Sequence, residues 1–213
     1  YFQGPSDRTP SDSWIRHQYI DRHNQLWIWY SGSGLERYDP MTETFHRYES
    51  DPGRPGFISS TRPAQGTPLA GRNVFEDSGG RLWIGTDRGL NLYDREKDSF
   101  RVWRHDPDDP ATLSSDQVVV ITEGRDGFLW IGTRNGLNRL DPESGQVMRC
   151  LYDTGRDEPL FNNTTSVVFP HPDGSLWVGT TQDGLNIITH PCTDSMRIDY
   201  LISKPLNPNE EPT

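Results

Sequence analysis

The chain has 213 residues and 24.3 kDa, with 21 basic and 31 acidic side chains, a net charge of −10. That acidic balance argues against a nucleic-acid partner, whose phosphates it would repel, and no run of about 18 apolar residues is present to form a membrane-crossing helix. Hydrophobic residues are only 31%, but seven Trp and an aromatic share of 11% exclude wholesale disorder, and two cysteines are too few for a disulfide scaffold or a zinc cluster.

In chain order, Tyr1-Phe2-Gln3-Gly4 reads as the remnant of a purification tag, and residues 5–13 as a lead-in. From there self-similarity dominates. Leu26-Trp27-Ile28-Trp29-Tyr30, Leu82-Trp83-Ile84-Gly85-Thr86, Leu129-Trp130-Ile131-Gly132-Thr133 and Leu176-Trp177-Val178-Gly179-Thr180 align, each followed within a few residues by Gly-Leu. Their first Trp residues, at 27, 83, 130 and 177, are 56, 47 and 47 apart. A period of about 40–50 residues with a Trp-centred strand is the range of β-propeller blades. Gly and Pro recur too often for helical repeats of that length.

Each repeat parses into four strands. The first gives Trp14–Ile20, Gln25–Tyr30, Leu35–Tyr38 and Phe45–Tyr48. The second gives 72–76, 81–86, 90–93 and 99–104; the third 117–123, 128–133, 137–140 and 146–152; the fourth 165–169, 175–180, 185–189 and 196–202. The turns between them carry Asp-Gly, Asn-Gly and Asp-Pro, residues suited to tight reversals. The fold class expected is all-β: a propeller of four-stranded antiparallel blades at about 14–50, 70–104, 116–152 and 163–203. The Trp fills the wedge between neighbouring blades, and the Gly two residues on permits close approach. Blades must stack to bury both faces. Residues 204–213 repeat the character of Asp106-Pro107-Asp108-Asp109-Pro110, the linker before the third inner strand, and read as a linker to a further blade. Four blades either close on themselves or leave open faces that pair with a second copy.

The pattern Leu-Trp-Ile-Gly-Thr-x-x-Gly-Leu-x-x-Tyr-Asp, with His105-Asp106-Pro107-Asp108-Asp109-Pro110 leading into Leu113-Ser114-Ser115, resembles the two-component regulator propeller repeats of bacterial sensor proteins. The resemblance covers about residues 14–203. It implies a non-enzymatic, periplasmic sensor region in front of a signalling domain, attached to the membrane by other parts of its protein, with a small glycan as the first ligand to test. A dimerisation or protein-interaction propeller is the alternative, and a propeller lyase or hydrolase a third. The first repeat departs from the pattern, with Trp29-Tyr30 in place of Gly-Thr, and the linker that follows it is longer.

No phosphate loop, nucleophile elbow or zinc-protease motif is present, so no catalytic, metal or cofactor set is assigned. Histidines 17, 23, 46, 105, 171 and 190 are scattered and read as surface residues. The acidic runs Glu76-Asp77 and Asp106–Asp109 are either solvated turns or loops for a hard cation. Cys150 and Cys192 are either an inter-blade disulfide or two thiols. The candidate ligand site is the ring of turns after each Trp strand: Ser31 and Ser33, Asp87 and Arg88, Arg134 and Asn135, Gln182 and Asp183. They differ while the scaffold repeats, and in a propeller they share one face with the linkers. Their side chains offer paired hydrogen bonds to hydroxyls or carboxylates. Trp29 is either a stacking platform for a sugar ring or a plug, and Trp14 and Trp103 are expected in packing between blades.

Overall fold

The structure is a computed structural model that describes residues 8–31, 33–51, 53–63, 73–150, 165–180, 184–193 and 195–200. Every regular element among them is a strand, and sixteen strands form four sheets. Blade 1 is β1 (Ile15–Ile20), β2 (Leu26–Tyr30), β3 (Gly34–Asp39) and β4 (Thr44–Tyr48). Blade 2 is β5 (Val74–Glu76), β6 (Leu82–Thr86), β7 (Gly89–Asp94) and β8 (Ser99–Trp103). Blade 3 is β9 (Val118–Glu123), β10 (Leu129–Thr133), β11 (Gly136–Leu140) and β12 (Val147–Arg149). Blade 4 is β13 (Thr165–Pro170), β14 (Leu176–Thr180), β15 (Leu185–Thr189) and β16 (Arg197–Tyr200). Strands pair antiparallel in chain order within each blade. The tag remnant, the linker at 204–213 and the outer-strand residues beyond Cys150 and Tyr200 lie outside the described residues.

The Trp strand sits second in each sheet and is buried on both faces in blades 2 and 3. Its Trp face meets the following blade. Trp27, Trp29, Leu35 and Tyr48 pack on Val74, Leu82 and Ile84 of blade 2. Trp83 and Leu90 pack on Val118, Ile121, Leu129 and Ile131 of blade 3. Trp130 and Leu137 pack on Val168, Leu176 and Val178 of blade 4. The core is therefore three seams between blades. Burying one indole, at roughly 200 Å² and about 25 cal/mol/Å², stabilises its seam by up to about 5 kcal/mol.

The Gly two residues after the Trp has a visible reason. A Cβ on Gly85 would stand 2.6 Å from Val118 Cγ1 of blade 3. One on Gly132 would stand 2.7 Å from Thr165 Cγ2 of blade 4 and 2.5 Å from Val120 Cγ1 of its own blade. Val118 and Thr165 hold the same place, twelve residues before their own Trp. Each directly precedes a shift of register in the inner strand. That bulge turns the side chain toward the preceding blade, so one knob fills one glycine notch.

Blade 1 reverses this fit. Trp29 stands where the glycine stands elsewhere, and twelve residues before Trp83 the sequence has Gly71 in place of the knob. Trp29 is completely buried. A buried ring has no face to offer, so the stacking-platform role is corrected: Trp29 is a plug in the seam between blades 1 and 2. Trp14 is corrected in the other direction. It is 75% exposed and packs in no described seam, while Trp103 lies against Trp83, ring centroids 5.3 Å apart.

Candidate functional site

The turns after the Trp strands are held by backbone bonds to the linker of their own blade. Ser31 N–H donates to Trp14 O at 2.9 Å, Asp87 N–H to Arg62 O at 3.0 Å, and Arg134 N–H to Gln117 O at 3.1 Å. These bonds put Ser31, Asp87 and Arg134 on the face where the chain enters each inner strand. Gly89, with φ +128°, closes the second turn; a Cβ there would meet Trp103 O at 2.5 Å. Gln182 and Asp183 lie outside the described residues.

A buried polar triad locks linker to turn. In blade 2, Asn91 Oδ1 accepts the Ser59 N–H at 2.8 Å, Ser59 Oγ meets Thr86 Oγ1 at 2.9 Å, and Asn91 Nδ2 donates to Ile84 O at 3.0 Å. Blade 3 repeats it with Asn138, Ser114 and Thr133 at 2.9, 2.9 and 3.1 Å. This explains why Ser-Ser in the linker, Thr after the Gly and Asn after Gly-Leu stand together in both blades. In blade 1 the partners change: Glu36 stands for the Asn, and the lead-in's Ser11 bonds its carboxylate. Burial and the Glu36 charge push the neighbouring Tyr30 phenol up to about 12.

Above this framework the candidate side chains differ. Arg88, Arg134 and Asn135 are exposed, and Asn135 Nδ2 reaches Ser114 O at 3.3 Å. Ser31 Oγ accepts from Arg16 Nε at 3.0 Å. Ser33 Oγ and Asp87 Oδ1 are buried polar atoms with no hydrogen-bond partner. An unmet buried polar group costs about 1–3 kcal/mol unless water or a ligand meets it.

The seams carry a second repeated device at the outer strand. Tyr48, Trp103 and Cys150 occupy one register position, opposite Leu35, Leu90 and Leu137. Each reaches the last turn of the next blade. Tyr48 Oη donates to Asp98 Oδ1 at 2.7 Å, Trp103 Nε1 to Gly145 O at 2.8 Å, and Cys150 is disulfide-bonded to Cys192. The open choice between disulfide and thiols is thereby decided for the disulfide. Tyr93 also donates to Asp98 at 2.6 Å, and Arg37 lies over the Tyr48 and Tyr93 rings. Burial alone would raise the Asp98 carboxyl, but the two phenols and the Arg37 charge outweigh it and hold it low. Burial pushes Tyr93 up to about 12.

The acidic runs are structural. Asp77 accepts Trp83 Nε1 at 2.9 Å and Arg81 Nε at 2.7 Å, Glu76 binds Arg22 across the seam and Arg95 of its own blade, and Arg95 in turn reaches Asp21 across the seam. Asp21 repeats the indole bond to Trp27 at 2.9 Å. An Asp six residues before the Trp stands in the first two repeats, and Gly124 and His171 take its place in the third and fourth. The linker 105–112 wraps Arg149, whose guanidinium donates to the Asp106, Asp109 and Thr112 carbonyls at 2.7–2.8 Å. Among the described residues no group of three or more His, Cys, Asp or Glu is placed to hold a metal. On the opposite face, a groove of about 330 Å³ lies between Ser78–Arg81 and Asp141–Glu143.

The model of the two-component regulator propeller family matches residues 112–135, from the linker's Thr112 through the third Trp strand to Asn135. That segment carries the Ser114 and Thr133 of the triad. The third repeat is thus similar to a two-component regulator propeller repeat, and the other three share its boxes. None of the curated proteins matches it. Among solved structures it is similar to the extracellular domain of BT3049 of B. thetaiotaomicron, assigned to a hybrid two-component system. The identity is 26% over 90% of this chain and 25% of that one, with a TM-score of 0.67. It is also similar to the extracellular domain of BT4673 of the same organism, assigned to a one-component system, at 19% identity over 94% and 24%, TM-score 0.66. PorZ of Porphyromonas gingivalis, a surface component of the type-IX secretion system, matches at 16% over 93% and 28%, TM-score 0.61. The last two share the fold alone. The chain spans about a quarter of the length of each of these structures.

In these repeats the recurring boxes are thus scaffold, and the differences lie in the turns. Strand, triad and outer lock consume Trp, Gly, Thr, Asn and Ser in blades 2 and 3. What remains variable and polar on the linker face is Ser31, Ser33, Asp87, Arg88, Arg134 and Asn135.

Proposed function

We propose that these repeats belong to the extracytoplasmic ligand-recognition region of a bacterial transmembrane signalling protein, in the periplasm, without enzymatic activity. The observation that carries the proposal is the linker face, where differing polar side chains stand at one register position of a repeating scaffold. Arg88 and Arg134 supply forked donors, and Ser33 and Asp87 hold unmet polar atoms. Hydroxyl-rich ligands answer both, so a small glycan is the ligand class proposed. The 26% identity to an extracellular domain supports the location and the sensing role, and the Cys150–Cys192 disulfide suits an oxidising compartment. Binding would bias one arrangement of the propeller over another and so reach the signalling domain by population shift.

Calorimetric titration with a panel of neutral and uronic-acid oligosaccharides tests the ligand class. The expected result is saturable heat with at least one member, weakened about tenfold or more by Arg134→Ala. No heat and no thermal shift with any member would remove the glycan. Cleavage of a panel member would overturn the non-enzymatic reading.

A further inference from the structure

Each of the three seams joins the Trp face of one blade to the opposite face of the next, and blade 4 carries the same Trp face with nothing described upon it. Val167 and Phe169 there are 39% and 51% exposed, beside Trp177. Gly179 is its notch. A Cβ on Gly179 would have only Ser166 Oγ and Val167 Cβ of its own blade near it, each at 3.6 Å, whereas Gly85 and Gly132 are filled by knobs. At the other end of the array stands an unused knob. Ile15 lies twelve residues before Trp27, the place of Val118 and Thr165, directly precedes the same register shift, and is 53% exposed.

The polar margin of the seams shows the same complementarity. Glu76 accepts the Arg22 N–H of blade 1 at 2.8 Å, and Glu123 accepts the Ser78 N–H of blade 2 at 2.8 Å. In blade 1 the residue matching these glutamates is Ile20, 64% exposed, and in blade 4 the residue matching Arg22 and Ser78 is Pro172. A carboxylate seeking an N–H is replaced by an alkyl chain, and the N–H by a proline that has none. Blade 1 against blade 4 therefore matches as an apolar contact where the first two seams match as a polar one; at the third, Pro170 stands in the glutamates' place.

We propose that the Trp177 face of blade 4 docks the blade 1 face of a second copy of this chain, with Ile15 in the Gly179 notch and Ile20 against Pro172. The contact continues the three existing seams and is heterologous, so two copies use it twice if they close. It does not depend on the glycan reading.

Light scattering of the whole chain over a dilution series tests it, with Ile15→Asp and Gly179→Val as variants. Ile15 is exposed, and Gly179 has room for a Cβ and a φ outside the left-handed region, so both variants keep the wild-type circular dichroism. Wild type is expected at about twice 24.3 kDa, and each variant as a monomer. Mixing the two variants restores association, because each retains one intact face. A ladder of larger species abolished by both variants supports the same pair of faces without closure. A monomer throughout the series, or association unchanged by both variants, overturns the proposal.

Discussion

Cys150, opposite Leu137 in the outer strand of blade 3, is bonded to Cys192 in the last turn of blade 4, their Cα atoms 4.8 Å apart. It stands where Tyr48 and Trp103 stand in the preceding blades. One structural requirement, tying an outer strand to the next blade's last turn, is met by a hydrogen bond to a carboxylate, one to a carbonyl, and a covalent bond. The disulfide spans 42 residues, and in the chain-entropy picture such a loop is worth about 4 kcal/mol. Reduction, or Cys150→Ser with Cys192→Ser, is expected to release blade 4 first. Hydrogen exchange should show faster opening of β13–β16 while β6 and β10 stay protected; uniform loss across all blades would contradict this.

The glycine notches give a contrast within one molecule. Gly132→Ala forces a Cβ into Thr165 and Val120, and should cost about 1–3 kcal/mol by overpacking. Gly179→Ala meets only ordinary contacts at 3.6 Å and should stay within about 0.5 kcal/mol of wild type. Urea melts of the two variants measure the difference directly.

The buried triad predicts a cost without loss of surface. Asn138→Ala leaves the Ser114 N–H without its acceptor and removes the amide's bonds to Ser114 Oγ and the Ile131 carbonyl. The expected destabilisation is about 2–3 kcal/mol, read as a shift of the denaturation midpoint. Asn135→Ala, three residues away and exposed, should change it by under about 0.5 kcal/mol.

Stability should fall at both ends of the pH scale. Asp98 and Asp21 are held below the ordinary carboxylate value: burial opposes this, and hydrogen bonds from Tyr93 and Tyr48, and from Trp27 and Gln25, outweigh it. A depressed carboxyl contributes stability that is present above its unfolded value of about 4 and is lost as pH drops through the folded one. Tyr93 is raised to about 12, so its contribution is complete below pH of about 10 and disappears as pH climbs toward 12. Asp98→Asn should flatten the acid limb, and Tyr93→Phe the alkaline limb, of a plot of unfolding free energy against pH.

Much of the fold was legible because the Trp-x-Gly box repeats at a fixed interval and each strand alternates about it. Strand centres followed, and ends moved by one or two residues where caps and bulges decide. The triad was only partly legible: Ser-Ser and Gly-Leu-Asn both recur, but Ser59 precedes Asn91 by 32 residues and Ser114 precedes Asn138 by 24, so linker and strand residues look unrelated until the register joins them. Trp29 misled because a Trp at a glycine position resembles an exposed departure. Counting back twelve residues from Trp83 gives Gly71 in the sequence, where Val118 and Thr165 stand in the later repeats. Trp14 misled because an aromatic residue at the start of an inner strand reads as packing between blades, whereas it is exposed. The disulfide depends on the longer last turn of blade 4, which no spacing in the other repeats announces.

The central claim, that this propeller binds its ligand on the linker face, is tested most directly by amide hydrogen exchange with and without a saturating oligosaccharide from the panel. Protection is predicted at the turns around Ser31–Ser33, Asp87–Arg88 and Arg134–Asn135. Protection confined to Ser78–Arg81 and Asp141–Glu143 on the opposite face, or none anywhere, would contradict it.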